Sequence, residues 1–321
     1  MESYFDRLWP LNRSITGPGL RDSLGILAEV MPMERLRFPT GSRVFDWTVP
    51  REWLAREAYF VDPNGVRHAD FKTHNLHLVG YSVPVTRTMP YDELRPHLYS
   101  LPDQPDAIPY VTSYYEDNWG FCLPHNELLQ LPEGQYEVVI DSELHDGHVE
   151  IGEAVLPGES SEEVLFTSYL CHPSLANNEL SGPLVAAFVY DELSRRTCRR
   201  YTYRFVLGVE TIGTICYLSL RGDHLKHHLK AGYVLTCLGD PGCFSYKASR
   251  LQDCLADRAA RILLRDKGDH IVFPFDPSSG SEERQYNSPG CNLPVGVLMR
   301  TRYADFPEYH TSLDNKDFIS F

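Results

Sequence analysis

Three short segments each carry a metal-capable or proton-transferring side chain, two of them just past an apolar run and the third after a mixed loop at 304–308. His172 follows residues 164–170 (VLFTSYL) and is stiffened by Pro173, in a stretch reading Cys171-His172-Pro173-Ser174-Leu175-Ala176-Asn177-Asn178-Glu179-Leu180-Ser181-Gly182. A neutral imidazole on a rigid strand end is well placed to bind zinc, and equally able to cap the strand by bonding backbone. Glu210 follows residues 205–209 and precedes Thr211-Ile212-Gly213. A carboxylate there is costly unless it is paired, metal-bound or protonated, or bonds the start of the next helix. A second imidazole, His310, lies in Tyr309-His310-Thr311-Ser312-Leu313-Asp314-Asn315, where Asp314 could orient its other nitrogen. Asp240, in Gly239-Asp240-Pro241-Gly242, is a further candidate that also reads as a turn. The cluster Ser281-Glu282-Glu283-Arg284-Gln285 is another, which also reads as a solvated face.

The elements that must carry these residues alternate. Residues 164–170, 203–209 and 232–238 are apolar and strand-like, with a helical stretch at 184–193 between the first two. Residues 250–265 place Leu251, Leu255, Ala259, Ile262 and Leu263 on one helical face, and 270–275 and 293–299 are further strands. Continuous apolar strands alternating with helices predict an α/β sheet, whose ligands gather at the carboxyl ends of the strands. Near the start, Leu20, Leu24, Leu27 and Val30 predict an amphipathic helix over 18–31, with Gly17 and Pro18 at its entry. From about residue 38 to 137 short alternating runs, turn pairs and many prolines and aromatics predict a β-rich insert. The division is therefore an α/β domain from 1–37 and 138–321, with 38–137 inserted.

The chain has 321 residues, 42% of them hydrophobic, enough for one large core with a smaller satellite. With 30 basic against 44 acidic side chains its net charge is −14, which disfavours nucleic acid and anionic membrane surfaces as partners. No apolar run is long enough to span a bilayer, and the N-terminus lacks the basic-then-apolar pattern of a secretory signal. The eight cysteines form no C-x-x-C pair and several sit in apolar runs. Reduced thiols and a cytoplasmic location are expected.

In this order the loops resemble the co-catalytic zinc aminopeptidases, a group with glutaminyl cyclase as a relative. Those proteins run His, an A-x-D-x-x-S-G loop, Glu-Glu, Asp and Y-H-T-x-x-D. The matching positions are His172, residues 176–182 (ANNELSG), Glu210, Asp240 and residues 309–314 (YHTSLD). The resemblance is closer to a bacterial family of aminopeptidase-like proteins, often labelled uncharacterised or polysaccharide biosynthesis, with a β-rich insert near the start. Its signature stretches resemble 11–17 (LNRSITG), 44–50 (VFDWTVP), 101–109 (LPDQPDAIP), 171–174 (CHPS) and 307–315 (PEYHTSLDN). The implied fold is a zinc-aminopeptidase-like mixed sheet flanked by helices. Members commonly continue beyond the Y-H-T-S-L-D-N segment into a final helix and a further domain, so either truncation or a missing or replaced last packing element is expected after Phe321.

The resemblance implies zinc, and the departures from it set the number. Dizinc members carry an Asp between their metals where this chain has Asn178, and a second Glu where it has Thr211. A neutral amide cannot offset the repulsion of two dications, so one zinc per chain is expected. The ligands would be His172, His310 and Asp240, with Glu210 as general base, although the gap in its alignment also allows it to be a ligand. Tyr309 and Arg284 are candidates to hold the oxyanion, and Glu282 or Glu283 to pair with a substrate ammonium, with Asn178 also facing substrate. Arg13 is a candidate for a substrate carboxylate or a structural clamp. The expected substrate is a peptide or small aminoacyl amide, and a homo-oligomer is allowed. A biosynthetic amidohydrolase of a small aminoacylated metabolite and a non-catalytic binding protein are the alternatives.

Overall fold

A computed structural model describes all 321 residues. Its centre is an eight-stranded mixed sheet. The strands are β1 (Glu34–Pro39), β6 (His148–Leu156), β7 (Glu163–Tyr169), β8 (Thr202–Gly208), β9 (Leu229–Leu235), β10 (Phe244–Lys247), β11 (His270–Phe273) and β12 (Val295–Met299). Their spatial order is β1-β6-β8-β7-β9-β12-β10-β11. The four inner strands β8, β7, β9 and β12 run parallel, in keeping with their mainly apolar sequences, because a strand covered on both faces shows little polar surface. The β6 strand joins antiparallel to β8, and β10 antiparallel to β12.

The helices α1 (Glu2–Leu8), α2 (Pro18–Leu27), α3 (Ser181–Ser194), α4 (Ile212–His228), α5 (Leu255–Arg265) and α6 (Glu282–Tyr286) cover this sheet. Pro18 opens α2, and Leu20, Leu24 and Leu27 are buried as their spacing predicts. The helix stops at Leu27 because Val30 N–H turns back to the Leu27 carbonyl three residues earlier. The 17-residue α4 has no counterpart in the sequence reading. Gly213, Gly222 and paired histidines break its pattern, and burial of Ile212, Cys216, Tyr217, Leu218 and Leu225 holds it instead. Gly182 opens α3 where a Cβ would lie 2.2 Å from the Leu235 carbonyl oxygen, so the helix can approach β9 only without a side chain there.

A second, four-stranded antiparallel sheet consists of β2 (Glu52–Val61), β3 (Arg67–His68), β4 (Val85–Pro90) and β5 (Gln135–His145), in the order β3-β2-β5-β4. Its limits differ from the 38–137 expected. Residues 34–39 pair with β6 in the large sheet, and β5 runs on to His145 opposite Glu52 before turning directly into β6. One apolar cluster runs from Trp53, Phe60 and Tyr136 of this layer to Leu165, Phe205 and Val234 of the large sheet. All eight cysteines are free thiols, and no helix is long and apolar enough to cross a membrane.

Candidate active site

The carboxyl ends of β7 and β8 deliver His172 and Glu210, and the loop after β12 delivers His310. His172 Nε2 lies 3.5 Å from Glu210 Oε2, and the two imidazole centroids are 5.3 Å apart. His172 is fully enclosed, whereas the Glu210 side chain is one-third exposed and marks the open side. Tyr309 stacks on His310 with centroids 3.9 Å apart.

Backbone strain collects around this point. Ser174, Thr211, Cys237 and His310 all hold left-handed φ values, between 48° and 58°. For β-branched Thr211 that conformation is a true outlier, and it directly follows Glu210. Residues Ala176–Leu180 form one turn of π-helix whose side chains are all buried, a device that turns Asn177, Asn178 and Glu179 inward together.

Glu179 is the residue that sequence reasoning missed. Its Oε1 accepts the His172 backbone N–H at 2.9 Å, and its Oε2 lies 2.6 Å from His172 Nδ1. It therefore fixes which ring nitrogen faces Glu210, the task expected of Asp314 for His310. Asp314 does not reach a histidine. Its two oxygens accept the backbone N–H groups of Asn177 and Asn178 at 2.6 and 2.9 Å, holding the π-helical turn in place. The one carboxylate of an otherwise uncharged loop, seven residues after a strand-end histidine, was the available signal for Glu179.

The insert closes the site from above. Ile108 and Ser312 bond reciprocally, the Tyr110 N–H donates to the His310 carbonyl at 2.8 Å, and Gln104 donates to the Pro307 carbonyl. This docking puts the Tyr110 ring 4.9 Å from His172 and 5.1 Å from His310, with its hydroxyl 2.9 Å from that of Tyr114. Neither tyrosine stood out in the sequence, because only the chain fold brings residues 108–114 against 307–312.

Other expected site residues are placed elsewhere. The Asp240 carboxylate is filled by donors from Asn177, Gly242 and Thr301 and bonds neither histidine, so the structure does not bring it to the pair. Arg13 is 1% exposed, donates from Nε to the His172 carbonyl at 3.1 Å and from Nη1 to Leu8. That is the clamp alternative, and the burial removes it from a substrate carboxylate. Glu283 already holds the Lys247 ammonium at 2.8 Å, with Tyr303 alongside, leaving no carboxylate for a substrate amine. Glu282 is buried beside Ser281, whose hydroxyl donates to it at 2.7 Å. The cluster at 281–285 is thus not a solvated face. Arg284 bonds no residue of the histidine pair, and Asn178 Oδ1 lies 3.1 Å from His310 Nε2.

The charges are correspondingly displaced. Burial opposes the His172 imidazolium, but the Glu179 carboxylate outweighs it and holds His172 well above the usual histidine range. His310 has no such partner, and burial with the nearby His172 charge depresses it to about 3. Burial raises the Glu210 carboxyl, with His172 partly offsetting it. Burial and the Glu210 charge push Glu282 well above the carboxylate range.

Whether a metal fits is decided by this donor set. His172 has the Glu210 carboxylate 3.5 Å from its Nε2 and the His310 ring 5.3 Å from its own, with the Asn178 amide oxygen beside His310. Imidazole nitrogens and carboxylate oxygens are donors of the type that zinc takes. The set does not suit two ions, because Asn178 and Thr211 are neutral where a bridge and a second anionic ligand would be needed. The tightest cluster of ligand atoms, Cys171, His172 and Glu179, is fully buried, and it contains Nδ1, the nitrogen bonded to Glu179.

A family model described as a domain of unknown function (DUF4910) matches residues 3–321. A protein of Clostridium acetobutylicum, provisionally named a polysaccharide biosynthesis protein with an aminopeptidase-like domain, is 46% identical over 98% of this chain and 72% of its own length. A crystal structure from the same organism, provisionally called a peptidase, superimposes with a TM-score of 0.96 at 45% identity, over 99% of this chain and 75% of that one. A zinc aminopeptidase of Bacillus subtilis shares the fold, with a TM-score of 0.65 at 12% identity over 99% of this chain and 90% of its own. So does a peptidase M28 precursor of Shewanella amazonensis, with a TM-score of 0.64 at 12% identity over 99% and 87%.

Proposed function

Because this chain belongs to the family described as a domain of unknown function (DUF4910), on an aminopeptidase-like fold, we propose that it is a one-zinc amide hydrolase of the aminopeptidase type. The observation that carries the reading is His172 at the end of β7, with Glu210 3.5 Å from its free nitrogen and the His310 ring 5.3 Å from its own. His172 and His310 would hold the ion, with the Asn178 oxygen beside them in place of Asp240. When bound, the ion supplies carbonyl polarisation and a more acidic water. Glu210, raised toward neutrality by burial, takes the proton from the attacking water and returns it to the leaving amine. Tyr309, stacked on His310, is placed to steady the oxyanion. Glu282, buried and holding its proton, is not a carboxylate open to a substrate ammonium. The cover formed by Tyr110 and Tyr114 favours a small aminoacylated substrate over a long peptide. Eight free thiols support a cytoplasmic setting.

One observation favours a second reading, a binding protein on the same scaffold. The ligand positions Asn178 and Thr211 are neutral, and Tyr110 packs on both imidazoles. Metal content per chain, measured with turnover of an aminoacyl-amide panel, separates the two. One zinc with turnover, both lost in His172→Ala, supports the hydrolase. No metal and no turnover in the wild type leaves the binding protein.

A further inference from the structure

A cavity of about 590 Å³ opens beside α6, walled by Arg250, Phe275, Arg284, Gln285, Asn287 and Ser288. No carboxylate lines it, although the chain as a whole carries −14. Neither guanidinium makes an ion pair, and Arg284 Nε is buried without a hydrogen-bond partner. The remaining lining offers an amide donor from Gln285 and a hydroxyl from Ser288, while the Asn287 amide is spent on the Glu283 and Val295 carbonyls. Unpaired arginines in a strongly acidic protein concentrate field in one place, and planar guanidiniums match carboxylate or phosphate oxygens in paired hydrogen bonds.

The cavity also neighbours the proposed chemistry. Arg284 lies two residues from Glu282 on α6, which packs on α4, the helix that begins two residues after Glu210. The positive charge of Arg284 favours the Glu210 carboxylate.

We infer that the Arg250–Arg284 cavity is an anion subsite, which seats a carboxylate or phosphate group of the substrate while its amide bond lies at Glu210. The second half of that statement rests on the hydrolase reading; the anion site itself does not. An acidic, aminoacylated small metabolite is therefore the substrate class.

The test is calorimetric titration of the whole chain with succinate, its neutral match succinamide, and inorganic phosphate. Succinate or phosphate should bind and succinamide should not, and Arg250→Gln and Arg284→Gln should each weaken the anion about tenfold or more. Tighter succinate assigns a carboxylate and tighter phosphate a phosphoryl group. Equal binding of succinate and succinamide, or variants that bind as the wild type, would overturn the inference. Arg250 is exposed and bonds other residues only through its backbone, so its variant should fold, which circular dichroism checks. In turnover, Arg250→Gln should lower kcat/KM about tenfold for an aminoacyl amide with an acidic leaving amine and leave a neutral one unchanged. Anion binding with no turnover of any substrate would sink the hydrolase and leave the subsite standing.

Discussion

The strands β7 and β8 bury charge at both of their ends, and the two ends are built on opposite rules. At the amino ends Arg204 lies between Glu163 and Glu153, which also accept from Tyr217, Arg221 and His224. Every charge there has a partner, and Glu153 and Glu163 are held below the usual carboxylate range despite the cost of burial. At the carboxyl ends Glu210 and Glu282 are driven above it, and four residues hold left-handed backbones. The first cluster is closed and balanced. The second is unbalanced and opens through Glu210, as expected of groups kept ready for an external partner.

The comparison can be broken most forcefully at the open end. Glu210→Gln is expected to lower kcat by about 10²–10⁴ while metal content and melting temperature stay near wild type. Loss of the metal with the activity would make Glu210 a ligand, and unchanged turnover would remove it from the chemistry.

At the closed end the expected loss is of stability. Arg204→Ala removes the buried guanidinium shared by Glu153 and Glu163, leaving them only Tyr217, Arg221 and His224, and should cost about 3–5 kcal/mol in urea unfolding. A cost below about 1 kcal/mol would show that the amino-end network holds little.

Next in size is a difference in pH response. Glu153 and Glu163 have lowered folded-state values, so their contribution is present above the unfolded value near 4.5 and fades as pH falls below it. Glu282 is raised, so the folded state binds its proton more tightly and stability is lost as pH rises above 4.5 toward the raised value. Glu282→Gln should therefore remove part of the loss of stability between pH 5 and 8. An unchanged pH slope would contradict the displaced proton.

The smallest effect tests the strain. Thr211→Gly should offset chain entropy with backbone relief, leaving stability within about 1 kcal/mol of wild type or above it. A loss of more than about 2 kcal/mol would mean that the Thr211 side chain, not its backbone, matters at that position.

Much of this architecture was legible in the residues. Predominantly apolar runs marked β7, β8, β9 and β12, because strands covered on both faces carry few charges, and the one buried in β8, Arg204, is paired. Loops placed after them exposed His172 and Glu210 as candidates, and ordered motifs linked them to His310. Helix α4 stayed hidden because its packing overrides a weak pattern, and the insert's sheet runs past residue 137 because pairing of β5 with β2 continues to His145.

What the sequence by itself determined was the set of chemical groups: two histidines, few carboxylates, and neutral Asn178 and Thr211 where a second metal would need charge. Composition and order along the chain fix these, and no folding can change a side chain's donors. Which of those groups meet was decided only in three dimensions. Glu179 takes the Nδ1 face of His172 through a π-helical turn, and Asp240 is consumed by Thr301 and Asn177. Tyr110 arrives from an insert about 200 residues away in sequence from His310, and Glu283 is spent on Lys247. Directional bonds of about 3 Å select partners by the approach of backbones, and that approach is a property of the packed sheets, not of residue order.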